Sequence, residues 1–462
     1  MLRSLKDTHK YQRPCIKVMV QEPTLALFLD PGLGKTGISL IAIKRLMDLG
    51  VVRKVLVMAP LIVVHETWRQ EAVQWSYTND LTFKVLHGPK IKIDFDDGVD
   101  IHLINYSGLK KIRDRLDKVK GEFPYDMLVV DESSKFKDSS TKRFKSWKKL
   151  FSRFKRRYLL TATPLPQGLL NIWSQWFILD GGQALGTAFT RFRSIYFDNP
   201  YKYKWVLKPG AAEELTKIMD VGSIRLKAAD YLDMPPIMYN TIKVTLPDNA
   251  REVYKHLLKD LIIYLESDEI IPKTAAVRSM KLRQLVQGAM YTESGDIAYY
   301  HQAKALRLKE FVETLETPVL VPVGFKFDYD IICKVFGKEL PIIDGSNRGG
   351  NKAERDKRLV KAWNKGELPI LLVHPASLSH GVNLQHGGSQ IIWYCITWSS
   401  EQFVQFNARI YRQGQTKNVV IHSLIVRDSI DELVQKVLEM KGATQEMILQ
   451  QLKNELLKGE KK

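Results

Sequence analysis

Cysteine is scarce in this sequence: Cys15, Cys333 and Cys395 are the whole supply in 462 residues. They lie far apart, and no two have metal-ligand spacing, so neither a disulfide framework nor a cysteine-based zinc site is expected. Long apolar runs are missing as well. Val55–Pro60 running on into Leu61–Val64 is too short to cross a bilayer. The start, Met1-Leu-Arg-Ser-Leu-Lys-Asp7, is polar and is not a signal peptide. Together these shortages predict reduced thiols and a cytoplasmic setting, in a bacterium or a host-cell interior, with neither membrane insertion nor secretion. There is no repeat of fixed period, and no low-complexity segment longer than the charged end Lys458-Gly-Glu-Lys-Lys462. Acid is also in short supply. Lys and Arg number 70 against 51 Asp and Glu, a net charge of +19, which favours an acidic partner, most simply nucleic acid.

What is present reads as an ordinary soluble globular chain, 45% hydrophobic and 26% charged, long enough for two to four domains. The first half alternates apolar runs with helical patterns. Leu25–Leu29, Lys54–Ala59, Phe83–Leu86, Ile101–Ile104, Met127–Val130 and Arg157–Thr161 read as strands. Lys35–Leu49, Glu66–Trp75 and Leu169–Leu179 read as helices. Such alternation implies an α/β fold with a parallel sheet and helices on both faces. The pattern breaks at Asp233-Met-Pro-Pro236, and residues 247–316 look helical and basic. A second alternating set comes after them, with strands at Val319–Val323, Ile342–Ile343, Ile370–Val373, Ile391–Cys395 and Val419–Leu424, then a helical tail over Asp428–Leu457.

Four stretches carry chemistry. In Leu25-Ala-Leu-Phe-Leu-Asp-Pro-Gly-Leu-Gly-Lys-Thr36 a buried strand passes through a glycine-bearing loop into a helix, the context of a phosphate-binding loop. Gly32 and Gly34 let backbone approach phosphate, and the helix start offers N–H groups to anionic oxygens. Lys35 would reach the outer phosphates and the Thr36 hydroxyl would hold Mg²⁺. Leu29 stands where the full eight-residue pattern has its first glycine. In Met127-Leu-Val-Val-Asp131-Glu132 a strand ends in two carboxylates at the sheet edge where ligands bind. Asp131 suits Mg²⁺, and Glu132 suits orienting and deprotonating a water. A solvated loop is the other reading of that pair, and the phosphate loop upstream in the same sheet tips the balance. Leu159-Leu-Thr161-Ala-Thr163-Pro164 ends a strand in hydroxyls that can bond the carboxylate strand, or simply ends it with a turn. In Gln405-Phe-Asn-Ala-Arg409-Ile-Tyr-Arg412-Gln-Gly-Gln415 the two arginines are three apart, so on a helix they share a face and suit a spread phosphoryl charge. A solvated basic face is the alternative.

The order of these motifs resembles the superfamily 2 helicase-type ATPases and, within them, the Swi/Snf-type DNA-translocating ATPases, over roughly residues 9 to 440. His9-Lys-Tyr11-Gln12 is similar to the adenine-recognising glutamine motif, with Gln12 in that role. Asp30–Thr36 matches motif I, including Gly32, Leu33, Gly34, Lys35 and Thr36. Ala59-Pro60-Leu61 matches motif Ia, and Thr67-Trp68 with Glu71 matches the family's Trp and Glu positions beyond that motif. Asn105-Tyr106 sits at motif Ib. Asp131–Ser134 takes the place of the Asp-Glu-x-His box, and Thr161–Pro164 matches motif III. Ser223–Lys227, Leu232 and Pro235 resemble the lead into the linker. Ile343–Ser346 resembles a second-lobe Asp-Gly-Ser stretch, and Ser377, Gly381, Asn383 and Leu384 resemble motif V. Trp398, Gln402, Gln405, Arg409, Arg412 and Gln413-Gly-Gln415 resemble the run that sets this family apart. Three departures stand out: Ser134 in place of the usual histidine, Ala408 in place of an acid before the first arginine, and Pro322 inside the motif IV strand.

The resemblance implies two tandem RecA-like parallel-sheet domains with helical insertions: lobe 1 over 1–232, a linker with a helical, basic insertion over 233–316, and lobe 2 with a C-terminal helix over 317–462. It implies ATP and Mg²⁺ as cofactors, with Thr36 and Asp131 as metal ligands and Gln12, Gly381 and Gln405 added to the phosphate loop as nucleotide contacts. Catalysis would rest on Lys35, Asp131, Glu132, Arg409 and Arg412. Pro60, Tyr106, Ser377 and Trp398 would touch nucleic acid, duplex DNA in preference to single strands or RNA. The reading is a minimal bacterial or viral motor without room for appended chromatin-reading modules. A strand-separating DNA or RNA helicase and a non-catalytic, ATP-bound DNA clamp remain alternatives. Residues 141–157 hold nine Lys and Arg with no acid, and Phe144, Trp147, Phe151 and Phe154 recur at helical spacing. The aromatics are expected to pack on the sheet, the cations to face solvent or nucleic acid. Lys202-Tyr-Lys-Trp205 alternates charge with rings and reads as base-stacking or as an exposed hairpin.

Overall fold

The computed structural model describes all residues except 1, 62, 89–91, 163, 166–167, 200–204, 267–271, 347–350, 379–381 and 440–462, and the side chains of 66, 262–266, 272–276 and 353 are likewise left out. Thr163, Gly381, Lys202–Lys204, His380 and the tail beyond 439 thus lie outside the described residues. The chain forms two units, Met1–Asp233 and Met234–Lys462.

The first unit runs α1 (Gln12–Gln21), β1 (Thr24–Leu29), α2 (Lys35–Asp48), β2 (Val55–Ala59), α3 (Trp68–Ala72), β3 (Phe83–Val85), β4 (Ile101–Asn105), α4 (Leu109–Leu116), β5 (Met127–Asp131), α5 (Lys142–Phe151), β6 (Arg156–Thr161) and α6 (Ile172–Asp180). It continues through α7 (Phe189–Tyr196), the hairpin β7 (Phe197–Asp198) and β8 (Val206–Leu207), α8 (Ala211–Gly222), β9 (Ser223–Leu226) and α9 (Ala228–Tyr231). Seven strands make one all-parallel sheet in the order β3-β4-β2-β5-β6-β1-β9. Alternation splits each central strand between two cores. Leu25, Leu27, Leu29, Met127 and Val129 enter one, while Ala26, Phe28, Leu128 and Val130 enter the other. Burial on both faces is why these strands read as continuous apolar runs. The aromatic stripe of α5 packs as expected, with Phe144, Trp147 and Phe151 buried.

The second unit runs β10 (Ile237–Val244), α10 (Asp248–Glu266), α11 (Pro272–Gln287), the hairpin β11 (Ala289–Tyr291) and β12 (Ile297–Tyr299), α12 (Ala303–Val312), β13 (Val319–Pro322), α13 (Lys326–Phe336) and β14 (Ile342–Ile343). It ends with α14 (Lys352–Asn364), β15 (Ile370–Val373), β16 (Gln390–Trp393), α15 (Ser400–Asn407), β17 (Val419–Val426) and α16 (Ile430–Glu439). Its sheet is also all parallel, in the order β10-β17-β16-β13-β15-β14. The α/β class with two tandem RecA-like parallel sheets is therefore what the chain adopts. Residues 233–316, set apart from sequence as linker and insertion, contribute the edge strand β10 to this sheet. Their helices supply Leu261, Leu282, Leu285 and Leu308 to its core.

Several sequence expectations shift in detail. The helix over 66–75 is a π-helical turn (Val63–Thr67) followed by the short α3. Pro322 is the last residue of β13, and the β13–β16 register stops at Leu320↔Ile391. A residue without an N–H sits where that ladder ends, so the proline limits pairing on one side while Val323 N still donates 2.9 Å to Val373 O on the other. Arg409 and Arg412 do not share a helix face. α15 ends at Asn407, and both arginines occupy the turn beyond it. The Asn407 Oδ1 accepts Trp393 Nε1 at 3.0 Å, and the Arg409 carbonyl accepts Leu384 N at 3.0 Å, so this segment is tied to β16 and to the loop before it.

Candidate active site

Strands β1, β6 and β5 are neighbours in the first sheet, so their carboxyl ends deliver three motifs side by side. After β1 the loop turns through Gly32 at φ 89° and Gly34 at φ 76°, left-handed values that L side chains avoid. A Cβ on Gly34 would also lie 2.5 Å from Gln12 Nε2. Gln12 is buried, donates to Leu33 O at 3.2 Å and accepts from His9 N at 3.0 Å. Tyr11 Oη donates to the same carbonyl at 3.3 Å. The glutamine expected to meet adenine thus braces the phosphate loop from α1. At the loop's start, Asp30 N donates to Leu226 O at 3.1 Å and Asp30 Oδ2 accepts Ala228 N at 3.0 Å, which ties it to β9 and α9. Lys35 opens α2, and its Nζ donates to Leu29 O at 2.7 Å and Asp30 O at 3.3 Å. Thr36 comes next, half-buried.

Asp131 closes β5 and is buried. Burial raises its carboxyl pKa above the usual range, opposed by the Trp68 indole and by the Lys35 charge. Trp68 Nε1 donates to Asp131 Oδ2 at 3.0 Å. Sequence placed Trp68 in a motif without giving it this role. A tryptophan at the start of a short helix beside a buried carboxylate was the available signal, since a buried indole N–H seeks an acceptor.

Glu132 adopts φ 57° and ψ 57°, left-handed for a residue with a side chain. Such strain persists only where surroundings enforce it. Tyr106 Oη donates to the carbonyls of both Asp131 and Glu132, the latter at 3.2 Å. Its ring packs on Phe136, with the Arg143 guanidinium 5.1 Å away. Tyr106, expected to touch nucleic acid, is thus also a brace for the carboxylate turn. Thr161 Oγ1 donates to Glu132 Oε2 at 3.4 Å, the link expected of the third motif. Ser133 Oγ donates to Gln175 Oε1 at 2.8 Å, and Gln175 Nε2 donates to Pro164 O at 2.5 Å. Gln175 escaped the sequence reading. Its signal is a lone amide within the apolar run Ile172–Leu179. Pro60, after β2, is buried.

In the second unit the segments resembling motifs V and VI are laced together. Arg412 Nη1 donates to Asn383 Oδ1, Leu384 N to Arg409 O, and Gln415 Nε2 to Gln385 O at 3.0 Å and Gly388 O at 3.2 Å. Gln405 Nε2 donates to Glu401 Oε1 at 3.3 Å, and Ser377 N donates to His374 O at 2.8 Å. Trp398 is half-buried with the Arg283 guanidinium 4.8 Å from its ring.

A family model for the SNF2-related domain matches residues 11–292. The chain belongs to the SNF2-related family. Among similar proteins, the putative protein p41 of Acyrthosiphon pisum secondary endosymbiont phage 1 is 29% identical, covering 96% of this chain and 98% of that one. The uncharacterized ATP-dependent helicase YqhH of Bacillus subtilis is 23% identical over 93% of this chain and 77% of its own length. A solved SWI2/SNF2 ATPase core of Sulfolobus solfataricus, in complex with dsDNA, is 25% identical and covers 94% of this chain and 91% of that one, with a TM-score of 0.45. Among the described residues no helix is long and apolar enough to cross a membrane.

The first-unit residues of this SNF2-related chain fit a nucleoside triphosphate with Mg²⁺. Gly34 has no room for a Cβ, and Lys35 stands at the start of α2. Asp131 is a buried carboxylate with one oxygen fixed by a neutral donor. Such an outer-shell donor orients a ligand and leaves its other oxygen for an ion or its water.

Proposed function

We propose that this chain is a nucleic-acid-stimulated ATPase that couples hydrolysis to movement along DNA, duplex in preference to single strands. The observation that carries the reading is the convergence of Lys35, Asp131 and Glu132 at neighbouring strand ends of one parallel sheet. Membership of the SNF2-related family and the relative's name, ATP-dependent helicase in YqhH, support it.

In this reading Lys35 and the loop N–H groups hold the outer phosphates, and Thr36 and Asp131 hold Mg²⁺. A bound ion would supply Lewis-acid charge neutralisation there. Glu132 takes the proton of the attacking water, with Thr161 orienting its carboxylate. Arg409 and Arg412 would stabilise the charge on the transferred group. Gln12, Gly381 and Gln405 complete the nucleotide contacts. Each round of hydrolysis would advance the chain along a strand through phosphate contacts, which carry little sequence information. Pro60, Tyr106, Ser377 and Trp398 are placed among those contacts. The net charge of +19 supports an anionic track, as do the exposed Lys142, Lys145 and Lys149 of α5.

The test is ATP turnover by the full chain with and without duplex DNA. Strong stimulation is expected, and equal rates with and without any nucleic acid defeat the motor reading. The helicase name of YqhH favours strand separation as the second reading. Release of a labelled strand from a duplex would select it, and ATP-dependent displacement of a third strand without duplex opening would select translocation.

A further inference from the structure

Gln175 sits on α6 among Ile172, Trp173, Trp176, Phe177, Ile178 and Leu179, and its side chain is wholly buried. An amide in such a place is destabilising unless both its ends are bonded. Here both are. Nε2 donates to Pro164 O at 2.5 Å and to Asn171 O at 3.4 Å, and Oε1 accepts from Ser133 Oγ at 2.8 Å. The polarity is unambiguous. Two carbonyls can only accept, so Nε2 faces them, and the Ser133 hydroxyl must donate. An apolar residue would fill the site without this arrangement, so the amide does more than pack.

We infer that Gln175 is a positioning residue that locks the Glu132 turn to the turn after β6 through Ser133. The inference rests on the ATPase reading of this site. The two turns are joined twice. Thr161 Oγ1 meets the Glu132 carboxylate directly at 3.4 Å. The Ser133–Gln175–Pro164 chain makes the second link, through a hydroxyl, a buried amide and a backbone carbonyl. It acts on the residue adjoining Glu132, whose left-handed conformation is strained and is held from both sides. Tyr106 supplies one side through the carbonyls, and Gln175 the other through Ser133.

The test uses the full chain and compares Gln175→Leu, Ser133→Ala and the double variant by ATP turnover with saturating duplex DNA, alongside thermal melting. Each single change is expected to lower kcat about tenfold with KM for ATP within about twofold, because orientation of the base is lost and nucleotide binding is not. The double variant should be no worse than either single one, because both remove one link. Wild-type kcat in folded Ser133→Ala overturns the inference, as do losses that multiply in the double variant, or a kcat loss matched by a KM rise. Should Gln175→Leu fail to fold, Ser133→Ala alone decides. An unsubstituted chain without ATP turnover is a different failure, that of the ATPase reading itself.

Discussion

Trp68 and Asp131 are joined by a hydrogen bond of 3.0 Å from indole Nε1 to carboxylate Oδ2, with the indole wholly buried and the carboxylate 7% exposed. The donor is neutral, so it orients the carboxylate without cancelling its charge, and it opposes the burial that raises the Asp131 pKa. Trp68→Phe keeps the ring and removes the donor. Mg²⁺ titrations of ATP turnover should show a metal requirement raised about 10- to 100-fold. An unchanged Mg²⁺ midpoint would show that the indole only packs.

Lys35→Ala and Glu132→Gln should both abolish most DNA-stimulated turnover, but for different reasons. Lys35 contributes to holding phosphate, so its loss should weaken binding of a fluorescent ATP analogue as well. Glu132→Gln removes a base worth about 10²–10⁴-fold in rate while leaving the phosphate loop intact. Retained nucleotide binding without hydrolysis is the signature expected of Glu132→Gln alone. If Glu132→Gln hydrolyses ATP at the parent rate, another residue is the base.

Arg409→Ala and Arg412→Ala bear on the second unit's contribution. If both guanidinium groups stabilise transferred charge, kcat should fall about 10³-fold or more with nucleotide affinity largely kept. Arg412 also donates to Asn383 Oδ1, so Arg412→Lys, which retains charge but not the planar fork, should rescue poorly. A lysine variant as active as the parent would reduce that residue to a general basic charge.

Burial pushes His301 and His422 down to about 4 from 6.5. An imidazole with a lowered folded value stays neutral in the fold while the unfolded chain takes up the proton. Stability is therefore full above about pH 6.5 and is lost as pH falls through 6.5 towards 4. Melting of the chain should drop over that window, and His422→Asn should flatten the slope. A slope unchanged in both His301→Asn and His422→Asn would exclude these groups as its source.

Much of the fold was legible because the central strands are buried on both faces, which leaves unbroken runs such as Leu25–Leu29 and Met127–Val130. The edge strands β9 and β10 were not. β10 is buried at only Ile242 and Val244, so its sequence Ile-Met-Tyr-Asn-Thr-Ile-Lys-Val carries no apolar run. Of the site, the glycines, Lys35 and the Asp131–Glu132 pair were readable because phosphate and metal chemistry demand those residue types at that spacing. Trp68 as a carboxylate donor and Gln175 as a link were not, because each acts on a partner more than 40 residues away in sequence. The arginine pair was read on a helix, whereas both residues lie in the turn beyond α15. Helical spacing says nothing about the bonds from Leu384 and Trp393 to this segment.

By itself the sequence determined which residue types stand at the strand ends and where the chain changes from strand to loop, because both depend on local chemistry within about a dozen positions. Tertiary structure alone decided how Glu132 is held in a left-handed turn, which face of Asp131 is already occupied, and that Gln12 braces the phosphate loop. Those facts depend on hydrogen bonds between groups distant along the chain, and only the order and register of a folded sheet bring such groups within about 3 Å of one another.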